Sequence, residues 1–344
     1  MTTVLLLLIG SPGRAEPVQV SAYVEILDRY VDDQIGAVNA LNRWTPVATQ
    51  KVVAEFEDLL PRRGSAGKPP MTPKRAEAAV MLHTDLALAL LSDQAARADT
   101  HLQLARSLLQ RLTPLEPLEF RWRWYAVVTT LYWSQARIDL AQRTAEEGLM
   151  AMPTVGHFHV LLGSLATARA AIADANLRGL PSPNTAATQH AIESGLRTAA
   201  YEYGDALKIE PQDADSHLGL AWVHYLQRRD GDARVEIGLA REETHLSSQR
   251  YLADLIRAAL DEREGQLDEA ALAYDDAIAD CPVCQSAYAG RVRVATNSGD
   301  TDTARRCAAT YASVPKPNFD PWWDFFIGGL DQNSIAWLRD EVRR

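Results

Sequence analysis

Apolar positions along this chain fall at helical spacing, and one short phrase of them keeps returning. Ala199, Tyr203 and Ala206 stand at i, i+4 and i+7, and Ala233, Ile237 and Ala240 repeat that trio 34 positions later. The trio recurs at Ala270, Tyr274 and Ala277, and 34 positions on at Ala304, Ala308 and Tyr311. Residues at this spacing share one face of a helix, and small ones let a second helix approach closely. Pro211 and Pro282 each fall five residues beyond the last alanine of their own copy, where a helix should stop. A period in this range signals stacked supersecondary units. The expected fold is all-α, with antiparallel helix pairs piled into an α-solenoid.

The same pattern divides the chain. Residues 17–60 read as an N-terminal helical pair, with Tyr23, Leu27, Tyr30, Val31 and Ile35 along one stripe. Residues 61–73 hold four prolines and two glycines and predict a linker. From 74 to 314 helical pairs form the array, where Ala98, Leu102 and Ala105 echo the trio, as do Ala141, Ala145 and Gly148 before Pro153. Ala166 and Ala199 are 33 residues apart, more than a short turn needs, so 175–194 predicts longer helices and a protruding loop. Gly231-Asp232, Gly265-Gln266 and Gly299-Asp300 mark the turns within three units: glycine for the left-handed helix end, aspartate to cap the next helix. Residues 315–344 read as an aromatic C-terminal cap, with Trp322, Trp323, Phe325 and Phe326 ahead of a final helix. A solenoid's last unit leaves an apolar face open, so these aromatics are expected to lie over it as a lid, with docking on a partner as the alternative.

These units resemble the tetratricopeptide repeat family. One of the better copies runs through Tyr125, Val128, Tyr132, Ala141, Ala145 and Pro153; the other spans Ala214 to Ala240. The second departs from the family pattern by placing His217 and His224 at packing positions and His245 where proline is expected. The resemblance implies a right-handed superhelix with capping helices at both ends, and a concave groove that binds a peptide or protein surface rather than an enzyme active site. Acidic members of this sort resemble proteins of environmental bacteria. The family's groove positions, carried onto this chain, are Arg123, Thr130, Trp133, His157, Ser164, Asp215, Trp222, Tyr225, Glu262, Arg293 and Asn297. Tryptophan and arginine dominate binding hot spots. Trp222 and Tyr225 read equally well as filling space against the long insertion.

Composition narrows the partners. The 344 residues carry a net charge of −10, with a pI near 5.3, which disfavours a nucleic-acid binder. The Arg121-Trp122-Arg123-Trp124-Tyr125 cluster, wound on a helix, separates into exposed arginines and inward aromatics. Val4 to Ile9, followed by Gly10 to Ala15, looks like a secretory leader over residues 1–16, with a disordered N-terminus as the alternative. No later run is apolar enough to span a bilayer. Cys281 and Cys284 stand at Cys-x-x-Cys spacing with Cys307 as the third cysteine, so an exported chain is expected to form a local disulfide or a bridge to Cys307, with free thiols as the alternative and no metal. His157 and His159 lie on different sides of a helix, and His217 and His224 read as tucked packing residues rather than ligands. The reading is a non-catalytic scaffold without a cofactor, periplasmic or secreted with cytoplasmic as the alternative, free or within an envelope complex. Its rival is a metal- or thiol-dependent redox protein using Cys281 and Cys284.

Overall fold

In the computed structural model, residues 83, 95–109, 119–134, 137–179, 185–244, 246–313, 320 and 322 are described, and every regular element among them is a helix. In chain order these are α1 (Ala95–Leu109), α2 (Glu119–Ser134), α3 (Ile138–Ala151), α4 (His157–Gly179), α5 (Thr185–Ile209) and α6 (Ala214–Leu226). Then follow α7 (Asp230–Glu243), α8 (Ser247–Arg263), α9 (Leu267–Asp280), α10 (Gln285–Asn297) and α11 (Thr301–Ser313). The expected leader, the helical pair at 17–60, the linker at 61–73 and the final helix lie outside the described residues. The chain forms two units, Met1–Leu131 and Tyr132–Arg344.

In the first unit, α1 buries His101, Leu102 and Ala105. The Nδ1 atoms of His83 and His101 meet at 2.9 Å. One ring must donate and the other accept, so the pair excludes a second proton between them. Burial first, and then the neighbouring His101, lowers the His83 pKa to about 4.

In the second unit, consecutive helices pair as hairpins, α4 with α5, α6 with α7, α8 with α9 and α10 with α11. The second helix of each hairpin packs on the first helix of the next. First helices also touch first helices, α4 with α6, α6 with α8 and α8 with α10. This is the nearest-neighbour stacking of a tetratricopeptide-like α-solenoid. The repeated trio lies inside it: Ala199, Tyr203 and Ala206 are buried, as are Ala233, Ile237 and Ala240, and Ala270, Tyr274 and Ala277. The final copy differs, since α11 has no buried residue.

Ring and notch hold the stack together. A Cβ at Gly219 of α6 would sit 2.2 Å from the ring of Tyr203, and one at Gly290 of α10 would sit 2.2 Å from that of Tyr274. Between α3 and α4 the roles reverse, with Gly148 supplying the notch and Phe158 the ring. The tyrosines cannot swing aside. Tyr203 shares a hydrogen bond with Ser164 at 3.0 Å, and Tyr274 is held by Glu262 and Arg293.

Four of the described turns, α2–α3, α6–α7, α8–α9 and α10–α11, are closed by a backbone bond of one length class. Arg137 N–H reaches Tyr132, Arg229 reaches His224, Gln266 reaches Asp261 and Asp300 reaches Ala295, all at 2.8–2.9 Å. That bond demands a left-handed residue just before its donor. Gly265 and Gly299 fill the place as expected, with φ of 78° and 80°. The third expected glycine does not: Gly231 lies inside α7, and Arg228 takes φ 62° instead. The long insertion is absorbed by α4 and α5, which run 23 and 25 residues. Their overhang packs Ala170, Leu196 and Tyr203 against Leu220 and Val223 of α6. It leaves an open groove of about 530 Å³, floored by Ile192, Leu196 and Leu226.

Two outcomes follow from this packing. Gly290→Ala should destabilise the second unit by about 1–3 kcal/mol through overpacking, read as a lower midpoint in urea unfolding. For His83, a base depressed below its ordinary 6.5 takes up its proton only on unfolding within that window. Stability is therefore full above pH 6.5 and falls toward pH 4, with a slope approaching about 1.4 kcal/mol per pH unit. NMR titration should show a neutral His83 ring across most of that range, and His83→Gln should flatten the slope.

Candidate functional site

Three first helices, α6, α8 and α10, touch in succession and form one wall. The first of them starts where its cap places it. Asp213 accepts the Ser216 N–H at 2.8 Å, and Asp215 follows in the first turn. Trp222 and Tyr225, three residues apart on α6, stack with centroids 4.8 Å apart and planes 13° from parallel. Arg263, in the last turn of α8, lies 3.8 Å from the Tyr225 ring centre, donates to the Tyr225 carbonyl at 2.9 Å and pairs with Asp230.

The charged residues of the wall bind one another. Asp215 of α6 accepts from Gln249 of α8 at 3.1 Å. Glu262 of α8 accepts two bonds from Arg293 of α10, at 2.6 and 2.7 Å, and one from the Tyr274 hydroxyl. Burial raises the Tyr274 pKa, so that hydroxyl remains a donor. The bond to Glu262 in turn raises that of Arg293. These pairs join each first helix to the next.

The wall is already occupied. Asp320 is 2% exposed and accepts three bonds: from the Tyr251 hydroxyl at 2.9 Å, the Ser286 N–H at 2.8 Å and the Trp322 N–H at 3.1 Å. The Trp322 ring stands edge-on to Trp222, centroids 5.0 Å apart, and Trp222 is 3% exposed. The first residues of a helix carry unpaired N–H groups and a partial positive charge. Asp213 and Asp300 answer this locally, at Ser216 and at Thr303. Cys284, at the same position before α10, makes no side-chain cap, and its sulfur is bonded to Cys281. Asp320 supplies the missing carboxylate from the C-terminal segment. Burial pushes its carboxyl up, against the pull of the hydrogen bonds it accepts. Burial and the Asp320 charge hold the Tyr251 hydroxyl well above its ordinary value, so it donates.

His217 and Tyr288 stand at equivalent positions of their units, and each bonds the carbonyl of its own closing proline, Pro211 and Pro282, at 3.2 Å. Tyr251 lies 34 residues after His217, in the unit where His245 replaces that proline. Its hydroxyl goes to Asp320.

Of the groove residues read from the sequence, Asp215, Trp222, Tyr225, Glu262 and Arg293 come together on this wall. Asn297 is exposed on α10, and Trp133 and His157 are half-buried on α2 and α4. The Arg123 and Thr130 side chains lie outside the described residues. Trp222 faces Trp322, and Leu220 and Val223 pack on the insertion. Of the aromatic tail, Asp320 and Trp322 contact α6, α8 and α10, and Trp323, Phe325 and Phe326 lie outside the described residues. Sequence reasoning missed Tyr251, Arg263, Ser286 and Asp320. The available signal was a cysteine standing where α10 needs a cap.

The cysteines and histidines serve structure. Cys281 closes α9 and Cys284 opens α10, and the bridge between them, 1% and 0% exposed, pins the turn between units. Cys307 is a free thiol whose pKa burial raises, so the expected alternative of a bridge to it does not form. His159 meets Glu202 and His217 meets Glu236, each at 2.7 Å across its own hairpin. Among the described residues no group of three or more His, Cys, Asp or Glu side chains is placed to hold a metal, and no helix is long and apolar enough to cross a membrane.

No protein-family model matches this chain, and no curated protein matches it. Among solved structures it is similar to a monomeric mutant of IFIT1 with Gppp-AAAA, at 13% identity and a TM-score of 0.49, over 81% of this chain and 70% of that one. It is also similar to PilW, a type IV pilus biogenesis factor, at 15% identity and a TM-score of 0.48, over 70% and 95%. A third is a thermophilic TPR protein of Thermus thermophilus, at 18% identity and a TM-score of 0.45, over 69% and 99%.

Removing one side of the wall's bidentate pair should show its weight. Arg293→Ala leaves Glu262, whose side chain is 14% exposed, without its cation, and should cost about 1–3 kcal/mol. Arg305→Ala breaks a fully solvated pair with Asp302 and should leave the urea midpoint unchanged.

Proposed function

We propose that this chain is a non-catalytic protein-interaction scaffold whose wall of first helices, α6, α8 and α10, holds a peptide or protein surface. The observation that carries this reading is the seating of Asp320 and Trp322 across three successive units. The groups that hold them are a stacked aromatic pair, a tyrosine hydroxyl and a helix N-terminus. Such groups recognise a polypeptide by one ring and one acid, and they need no cofactor. The net charge of −10 favours a protein partner over nucleic acid.

The bridged cysteines support the same reading. Both sulfurs are buried and bonded to each other, so neither stands as a thiolate for exchange with a second protein. Disulfides persist in oxidising compartments, so the protein acts in the periplasm or outside the cell, alone or as a subunit of an envelope complex.

The test is partner capture by the full chain. Trp222→Ala, with helicity confirmed by circular dichroism, should lose a partner that the unaltered chain retains, at a cost of about 2 kcal/mol or more in affinity. Leu272→Ser, on the exposed side of α9, should retain it. Equal capture by all three chains overturns the assignment of the wall.

A further inference from the structure

The occupant of the wall carries information about what else fits there. Asp320 is held by a hydroxyl from α8 and a backbone N–H from α10. Among the described residues no arginine or lysine bonds it. A site of neutral donors at a helix N-terminus selects a carboxylate by dipoles. Trp322 lies two residues on, and its N–H returns to the same carboxylate at 3.1 Å. That local turn is a property of an aspartate and its second neighbour, so acid and indole arrive as one preformed unit. The indole then meets the Trp222–Tyr225 stack, which Arg263 backs.

The contacts come from three units of the solenoid, while the occupant comes from beyond α11. The contacts that hold them are hydrogen bonds and a ring contact. Trp322 itself is only half-buried.

We infer that the external ligand of this wall is a peptide carrying an acidic residue two places before a tryptophan, and that Asp320 and Trp322 hold the seat until such a peptide displaces them. This rests on the scaffold reading above and narrows it to one ligand chemistry with a built-in competitor. Apparent affinity for an outside peptide scales with the fraction of chains whose seat is empty.

The probe is a fluorescein-labelled synthetic peptide with the sequence of residues 317–326, measured by fluorescence anisotropy against the full chain. The double variant Asp320→Ala, Trp322→Ala should bind it, and the unaltered chain should bind at least ~10-fold more weakly. A peptide with the corresponding Asp and Trp both replaced by Ala should bind neither. Equal affinity for the two chains overturns the competition, and no binding to the vacated chain overturns the ligand chemistry. If the double variant loses its helical circular dichroism, Trp322→Ala alone carries the test, since it keeps the carboxylate that caps α10. A dimer formed by the unaltered chain and absent in Trp322→Ala would assign the seat to a second copy and overturn the inference. If the peptide fails while Trp222-dependent partner capture persists, the inference falls and the scaffold stands; if both fail, both fall.

Discussion

Tyr203 and Tyr274 of the repeated trio each have a glycine opposite, and the stack of the second unit depends on that fit at two of its joints. Tyr203 and Tyr274 are rings too large for an ordinary helix–helix contact, and Gly219 and Gly290 remove the Cβ atoms that would collide with them. Close approach brings α6, α8 and α10 within reach of one another. Their side chains can then bond across units, as Glu262 and Arg293 do. Without the notches α6 would stand further from α5, and α10 from α9.

On that wall the charges expected to meet a partner are largely matched within the chain. Asp215 meets Gln249, Glu262 meets Arg293, and Arg263 meets Asp230 and the Tyr225 ring. What remains for recognition is aromatic area and the N-terminus of α10, which has no local side-chain cap. The bridge pins the turn between α9 and α10, and a carboxylate from elsewhere in the chain caps the helix that follows it.

Much of the array was legible before any coordinates. The trio at i, i+4 and i+7 marked the buried face of α5, α7 and α9, and Gly265 and Gly299 marked two of the turns, because local spacing alone decides which residues share a helix face. The third turn was misread. Its left-handed position is set by the backbone bond from Arg229 to His224, and Arg228 accepts the conformation although a glycine stands three residues on. The wall was half legible: Trp222, Tyr225, Glu262 and Arg293 came from the family's positions, but Tyr251, Arg263, Ser286 and Asp320 did not.

The sequence by itself determined the period, the helix pairs and the apolar stripe that each pair must bury, since these depend on neighbours a few residues apart. Only the tertiary structure decided that Trp222 is covered, that Cys284 bonds Cys281 rather than Cys307, and that Asp320 becomes a buried cap. An aspartate beside a proline reads the same whether water or a helix end receives it. Its role is set by where the chain returns, and that is fixed by contacts spanning many residues, which no local pattern encodes.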